Sequence, residues 1–86
     1  MITHYLKIKE NYLDRLVKGI KTAEIRYNDR DYQVGDYLQF RNPSDDITVG
    51  SADVYIYFKI LHVHSGLGLA DGYVCMSIMR VRNYNP

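Results

Sequence analysis

The strongest constraint on the fold of this chain is a run of alternating apolar residues near its centre. Apolar side chains recur at every second position through Ala52, Val54, Ile56, Phe58 and Ile60. Successive side chains of a β-strand point to opposite faces, so this period of two predicts a strand with one buried face. We expect this segment to form the main strand of the core.

Four further segments show the alternation of a half-buried strand. In the first of them Leu6 and Ile8 share one side, and in a later one Leu38 and Phe40 point inward. Turn-forming residues separate these segments, including the Asn28–Asp31 run and the glycines between residues 64 and 72. The predicted strands cover residues 4–9, 21–28, 37–40 and 73–81.

One segment has the period of a helix instead. Between the first two strands, Leu13, Leu16 and Val17 recur at three-to-four spacing, and Tyr12 and Ile20 extend the same stripe. This pattern predicts a helix over about residues 11–18. Asn11 is suited to its N-terminal cap, and Gly19 to the left-handed position after its end.

The predicted elements describe a mainly β, α+β chain with one helix after its first strand. Its 86 residues form a single domain over residues 1–86, with no room for a second core. Short connections and exposed strand edges favour closure into a small mixed β-barrel of five or six strands. We expect the helix to cover one mouth of this barrel.

Composition restricts where the chain acts and what it binds. The net charge is +1, so any nucleic-acid binding depends on a local patch of cations. No apolar run approaches the roughly 20 residues that span a bilayer, and the N-terminus lacks the apolar region of a signal peptide. The single Cys75 suits a reducing compartment. These features predict a cytoplasmic protein without a membrane partner.

The most charged segment of the chain runs from Gly19 to Asp31 and allows two interpretations. Strand alternation places Glu24 and Arg26 on one face with Thr22 and Asn28, and the opposite face carries Ile25 with Lys21, Ala23 and Tyr27. The polar set is either a solvated sheet face or the lining of a cleft near the helix end. The cleft is favoured by Lys21 directly after the helix, Arg30 in the turn, and Lys7 and Lys9 along the first strand.

The same segment resembles the ASCH branch of the PUA-like superfamily, in its short phage and bacterial form. The hallmark of that branch is Gly-x-Lys-x-x-Glu-x-Arg, matched by Gly19, Lys21, Glu24 and Arg26. The short form continues with Asn-Asp-Arg and Val-Gly-Asp, matched by residues 28–30 and 34–36. The resemblance covers nearly the whole chain. It implies a PUA-like barrel with a cleft between the helix end and the barrel that binds RNA.

This resemblance and the residue chemistry together predict an RNA-binding or nucleotide-binding site. Lys21 and Arg26 suit a phosphate or a base edge, and Glu24 suits an exocyclic amine. Unpaired bases stack on aromatic rings, for which Tyr27, Tyr32 and Tyr73 are candidates. The predicted ligand-binding residues are Lys21, Glu24, Arg26, Asn28, Asp29, Arg30 and Tyr73.

Two other functions stay open. One group of ASCH relatives removes an acetyl group from a modified cytidine with a lysine and a threonine three positions later. Here Lys21 matches the lysine, and Glu24 holds the place of the threonine, where it cannot serve as a hydroxyl nucleophile. A Lys21–Glu24 pair, with Asp71 as a further acid, could activate water instead. A phage-type protein-interaction module is the third possibility, and binding is favoured over catalysis.

No metal or cofactor is expected. His62 and His64 lie two residues apart and offer half a metal site, but the sequence places no third ligand beside them. The glycines of residues 66–72 do not lead from a strand into a helix, as a phosphate-binding loop requires.

Overall fold

A computed structural model describes residues 1–41 and 56–82. Its elements in chain order are β1 (Thr3–Lys7), α1 (Glu10–Val17), β2 (Ala23–Tyr27), β3 (Tyr37–Arg41), β4 (Ile56–Ser65) and β5 (Tyr73–Val81). The prediction of a mainly β chain with one helix after the first strand is confirmed. Residues 52–55 of the predicted central strand lie outside the described residues.

The strands form one mixed sheet in the order β1-β3-β4-β5-β2. β1 is parallel to β3, and the three other neighbouring pairs are antiparallel. The sheet curls into a half-barrel, with β1 and β2 as its two edges. β4 continues five residues beyond Ile60 to Ser65, through a register shift between Ile60 and His62. Both edge strands therefore come from the N-terminal part of the chain.

The core lies on the inner, concave side of the curled sheet. The alternation that the sequence shows is confirmed, because its apolar members are buried on β1, β3 and β4. Burying one side chain of this size stabilises a fold by about 1.5–3 kcal/mol. The buried apolar residues are Leu6, Ile8, Leu16, Tyr32, Leu38, Phe40, Phe58, Ile60, Val74, Met76 and Ile78.

Helix α1 contacts the core through a narrower stripe than its period predicts. Leu16 is buried and Leu13 packs against the core, whereas Tyr12, Val17 and Ile20 stay exposed. Ile20 lies beyond the helix end, where the helical period no longer sets the direction of its side chain. The helix therefore covers the core with two residues and leaves part of its apolar surface in solvent.

The ends of α1 differ in how well the sequence predicts them. The N-terminal cap is Lys9 rather than Asn11, and no side-chain hydrogen bond closes it. At the C-terminus Gly19 has a φ of +77°, and the Ile20 amide donates to the Arg15 carbonyl at 2.9 Å. This 6→1 hydrogen bond defines a Schellman motif, which directs the chain from the helix into β2.

Candidate functional site

Charged residues in and just before β2, predicted as site residues, form a hydrogen-bonded cluster. The Schellman turn leads to Lys21, whose Nζ donates to Glu24 Oε1 at 2.9 Å and also to the Ala23 carbonyl. Arg26 Nε donates to the other carboxylate oxygen, Glu24 Oε2, at 2.7 Å. Both oxygens of Glu24 are thus occupied by cations. We call Lys21, Glu24 and Arg26 the edge cluster.

The edge cluster faces the inside of the half-barrel, whereas Thr22 and Asn28, the other members of the predicted polar set, are exposed. Glu24 is only 6% exposed, whereas Ile25 and Tyr27 on the opposite face are each 56% exposed. Lys21 joins Glu24 although strict alternation assigns them to different faces. The reason is that Lys21 precedes β2, which begins at Ala23, and its long side chain extends to the residue three positions later.

Arg26 also connects the two edges of the sheet. Its Nη2 donates to the carbonyl of Lys7, the last residue of β1, at 2.8 Å. Its guanidinium carbon lies 5.9 Å from the centroid of the buried Phe40 ring, within the range of a cation–π contact. The edge cluster therefore lies on the open side of the half-barrel, between β1 and β2.

The electrostatics of the edge cluster favour an anion. Two cations share one carboxylate, which leaves one positive charge in excess. The Glu24 side chain is 8% exposed, and those of Lys21 and Arg26 are 27% and 25% exposed. The carboxylate is thus buried as an anchor, while each cation keeps part of its surface in solvent, where a ligand can reach it.

The turn after β2 supplies one structural residue and two accessible ones. Asn28 Oδ1 accepts a hydrogen bond from the Tyr32 amide at 3.0 Å, and the Asn28 amide donates to the Gly72 carbonyl at 2.7 Å. Asp29 and Arg30 are exposed and form a pair at 4.0 Å, a distance at which an exposed ion pair contributes little. Asn28 therefore holds the turn in place, and Arg30 is available beside the edge cluster.

Tyr73 lies on the other face of the sheet from the edge cluster. It is paired with Tyr27, and the two rings meet edge-on with their centroids 5.4 Å apart. They border a shallow cavity of about 380 Å³ with the loop of residues 66–72, which includes Asp71. Among the described residues, no hydrogen bond or ion pair joins Asp71 to the edge cluster. The residues predicted as one site thus divide between two faces.

Sequence reasoning missed a buried hydrogen-bonded pair, His4 and Asp36. His4 Nε2 lies 2.9 Å from Asp36 Oδ2, and both side chains are almost fully buried. Backbone amides of Ile2 and Gln33 also donate to the Asp36 carboxylate. Burial acts to raise the pKa of Asp36, but the His4 hydrogen bond and the two amides outweigh it, so the pKa lies below its ordinary value.

Tyr32 is a second residue whose place the sequence does not reveal. It is 3% exposed and packs edge-on against His4, with ring centroids 4.7 Å apart. Burial raises the pKa of Tyr32, while the charges of Arg26 and Arg30 act to lower it. Its phenol therefore belongs to the core beneath the charged residues, and it is too buried to stack a nucleobase.

The histidines of β4 are exposed and lie on the sheet away from the edge cluster. His64 Nε2 lies 3.3 Å from the Leu67 carbonyl, so the imidazole ring contacts the loop that follows β4. Within residues 1–41 and 56–82, no three His, Cys, Asp or Glu side chains are grouped to hold a metal ion. In that same part of the chain, no helix has the length and apolarity needed to cross a membrane.

The fold and the cluster together define a class of small mixed-sheet half-barrels with a charged site between their edge strands. Comparison with family models matches residues 3–78 to a domain of unknown function, DUF3850. Because the match covers most of the chain, the protein belongs to the DUF3850 family. No curated protein gives a significant match to the chain.

Proposed function

We propose that this domain binds RNA, or a nucleotide-like ligand, at the edge cluster. The observation that carries the proposal is the pair of partly exposed cations, Lys21 and Arg26, fixed by the buried carboxylate of Glu24. Guanidinium and ammonium groups bind phosphates and base edges through charge-assisted hydrogen bonds. Because both cations are already positioned, a ligand loses less affinity to the ordering of side chains.

The contacts of Glu24 support binding rather than catalysis. Each of its oxygens already accepts a hydrogen bond, from Lys21 or from Arg26. A carboxylate held by two cations in this way orients them. The acid that a hydrolase would add, Asp71, borders the cavity on the opposite face. A hydrolase acting on a modified nucleoside is therefore the weaker proposal.

We also propose that this domain is a relative of the ASCH branch of the PUA-like superfamily and acts in the cytoplasm. Support for the kinship comes from the mixed half-barrel with a helix after its first strand. The motif residues Lys21, Glu24 and Arg26 also follow the helix closely and are joined by hydrogen bonds. The single Cys75 agrees with a reducing compartment.

The test is an NMR titration of labelled protein with short single-stranded RNAs and with free modified nucleosides. We expect chemical-shift changes at Lys21, Glu24, Arg26 and Arg30. Lys21→Ala should weaken binding by about 1–3 kcal/mol, or roughly 5- to 150-fold, because it removes a charged contact in a partly desolvated cleft. The matched control is Arg15→Gln, which removes one exposed cation from the helix, outside both proposed contact surfaces.

The outcomes separate the three functions. RNA-dependent shifts that Lys21→Ala removes and Arg15→Gln preserves support the proposal. Shifts with a nucleoside alone, together with new product resonances over hours, replace it with the hydrolase. If no RNA or nucleoside shifts any resonance, the binding proposal fails, and the protein-interaction module becomes the leading function.

A further inference from the structure

The convex side of the sheet carries a second group of charged and aromatic residues, on β1 and β3. The parallel register pairs Tyr5 with Gln39 and Lys7 with Arg41. Between them along the strands, Leu6 and Phe40 are buried in the core, so these four side chains point outward. We call Tyr5, Lys7, Gln39 and Arg41 the outer face.

Lys7 and Arg41 place two positive charges side by side on this outer face. Like charges at directly paired positions of neighbouring strands repel one another. Both side chains are exposed, and no carboxylate of residues 1–41 or 56–82 forms an ion pair with either. An anion bound between the two cations would relieve this repulsion, which makes the pair a site for a phosphate group.

An aromatic ring lies next to the cation pair. Tyr5 is 61% exposed and stands two residues before Lys7, about 7 Å along the strand. Beside it the Gln39 amide donates to the Tyr57 hydroxyl at 2.8 Å, which fixes the neighbouring side chain. The four residues of the outer face, together with Leu6, line a shallow depression of about 490 Å³. Exposed aromatic rings alternating with cations are how proteins hold single-stranded nucleic acids.

The outer face meets the edge cluster at the end of β1. The carbonyl of Lys7 accepts the hydrogen bond from Arg26, while the side chain of Lys7 belongs to the outer face. A ligand that leaves the edge cluster over this strand end therefore reaches the Lys7–Arg41 pair directly.

We propose that single-stranded RNA bound at the edge cluster continues over the end of β1 onto the outer face. Its phosphodiester backbone is bound by Lys7 and Arg41, and one base stacks on Tyr5. This inference rests on the proposed function and extends it: the ligand is an RNA strand of several nucleotides rather than a single nucleotide. Single strands are favoured over duplexes because a base must be unpaired to stack on Tyr5.

The experiment compares a single-stranded octauridylate with uridine monophosphate on the whole domain. Arg41→Gln should weaken octauridylate binding about fivefold or more, and it should reduce the slope of log K against log salt by about one. Tyr5→Thr should also weaken octauridylate at least fivefold through lost stacking, while keeping strand propensity. Neither variant should alter the affinity for uridine monophosphate. The control is Arg15→Gln, which removes an exposed cation from the helix.

The result that overturns this inference is unchanged octauridylate affinity in Arg41→Gln and Tyr5→Thr. If Lys21→Ala still weakens binding in that case, the proposed function stands without the outer face. If Arg41→Gln and Tyr5→Thr lose octauridylate binding while Lys21→Ala keeps it, the outer face is the RNA site and the edge cluster is not. Absence of octauridylate binding in the native protein overturns this inference, and the proposed function then stands only if another RNA or a nucleotide binds at the edge cluster. Octaglutamate that displaces octauridylate with equal affinity overturns the assignment to RNA.

Discussion

Two buried carboxylates among the described residues, Asp36 and Glu24, are hydrogen-bonded to basic side chains, and their surroundings differ in one respect. Asp36 pairs with His4, and the two side chains are 6% and 5% exposed. Glu24 pairs with Lys21 and Arg26, and although its own side chain is 8% exposed, about a quarter of each partner is exposed. The carboxylates are buried alike, but only the partners of Glu24 face solvent.

This difference separates a buried carboxylate that stabilises the fold from one whose partners are suited to a ligand. The His4–Asp36 pair connects β1 to the turn before β3 and has no surface left for another molecule. In the edge cluster the carboxylate fixes two cations whose remaining surface is accessible. The solvent exposure of the partner side chains, rather than the burial of the carboxylate, thus indicates which of the two groups is suited to bind a ligand.

The largest expected effect is that of Asp36→Ala. The substitution leaves His4 and the amides of Ile2 and Gln33 without their acceptor inside the protein, which should lower the free energy of unfolding by about 3 kcal/mol. Urea denaturation followed by circular dichroism measures this loss. As a control, Asp14→Ala removes the exposed pair with Lys18 and should change stability by less than about 1 kcal/mol. Equal effects of the two variants would contradict a stabilising role for the buried pair.

Glu24→Ala should have a smaller effect on stability, about 2 kcal/mol, because water can solvate part of Lys21 and Arg26 once their partner is gone. It should also weaken RNA binding, although it makes the site more positive, because the two cations lose their fixed positions. Parallel denaturation and RNA titrations test both statements. A stability loss as large as that of Asp36→Ala, with unchanged RNA affinity, would make the edge cluster a second purely structural pair.

The smallest effect concerns pH. Burial alone would raise the pKa of Asp36, but its hydrogen bonds from His4 and two amides hold it below the ordinary value of 3.8. The unfolded chain therefore binds a proton more readily than the folded one. The stabilisation is complete above the unfolded pKa and is lost as the pH falls through the lower folded pKa. Stability curves between pH 2 and 6 should show this loss, and Asp36→Asn should flatten it. An unchanged acid slope in Asp36→Asn would assign the loss to other carboxyl groups.

Much of the fold follows from local patterns in the sequence. The period of two identifies Leu6, Leu38, Phe40 and Ile60 as core residues, since a sheet with one buried face leaves an alternating signature. Gly19 marks the helix end because a left-handed residue is needed there. The edge cluster is predictable for the same reason, since its three members lie within six residues of one another and the helix end fixes where they begin.

The remaining features depend on which distant segments meet. Alternation separates the two faces of β2 but does not tell which of them points inward. Here the face that carries Glu24 points inward, although it is the more polar of the two. The His4–Asp36 pair joins residues 32 apart, and no local pattern connects them. Tyr73 was assigned to the same site as the edge cluster, although its pairing with Tyr27 places it on the other face. Lys7 and Arg41 are neighbours because of the parallel register between β1 and β3, which no local pattern reveals.

The strand order has a consequence for how the domain assembles. β3, β4 and β5 follow one another as antiparallel neighbours, so the centre of the sheet is built from contacts between consecutive strands. β1 and β2 then join its opposite sides, each by pairing with a strand distant in the chain, which is the slower kind of event. Lys7, Lys21, Glu24 and Arg26 all belong to this N-terminal segment. The proposed RNA site therefore exists only when both distant pairings have formed, and we expect bound RNA to stabilise β1 and β2 against separation from the sheet.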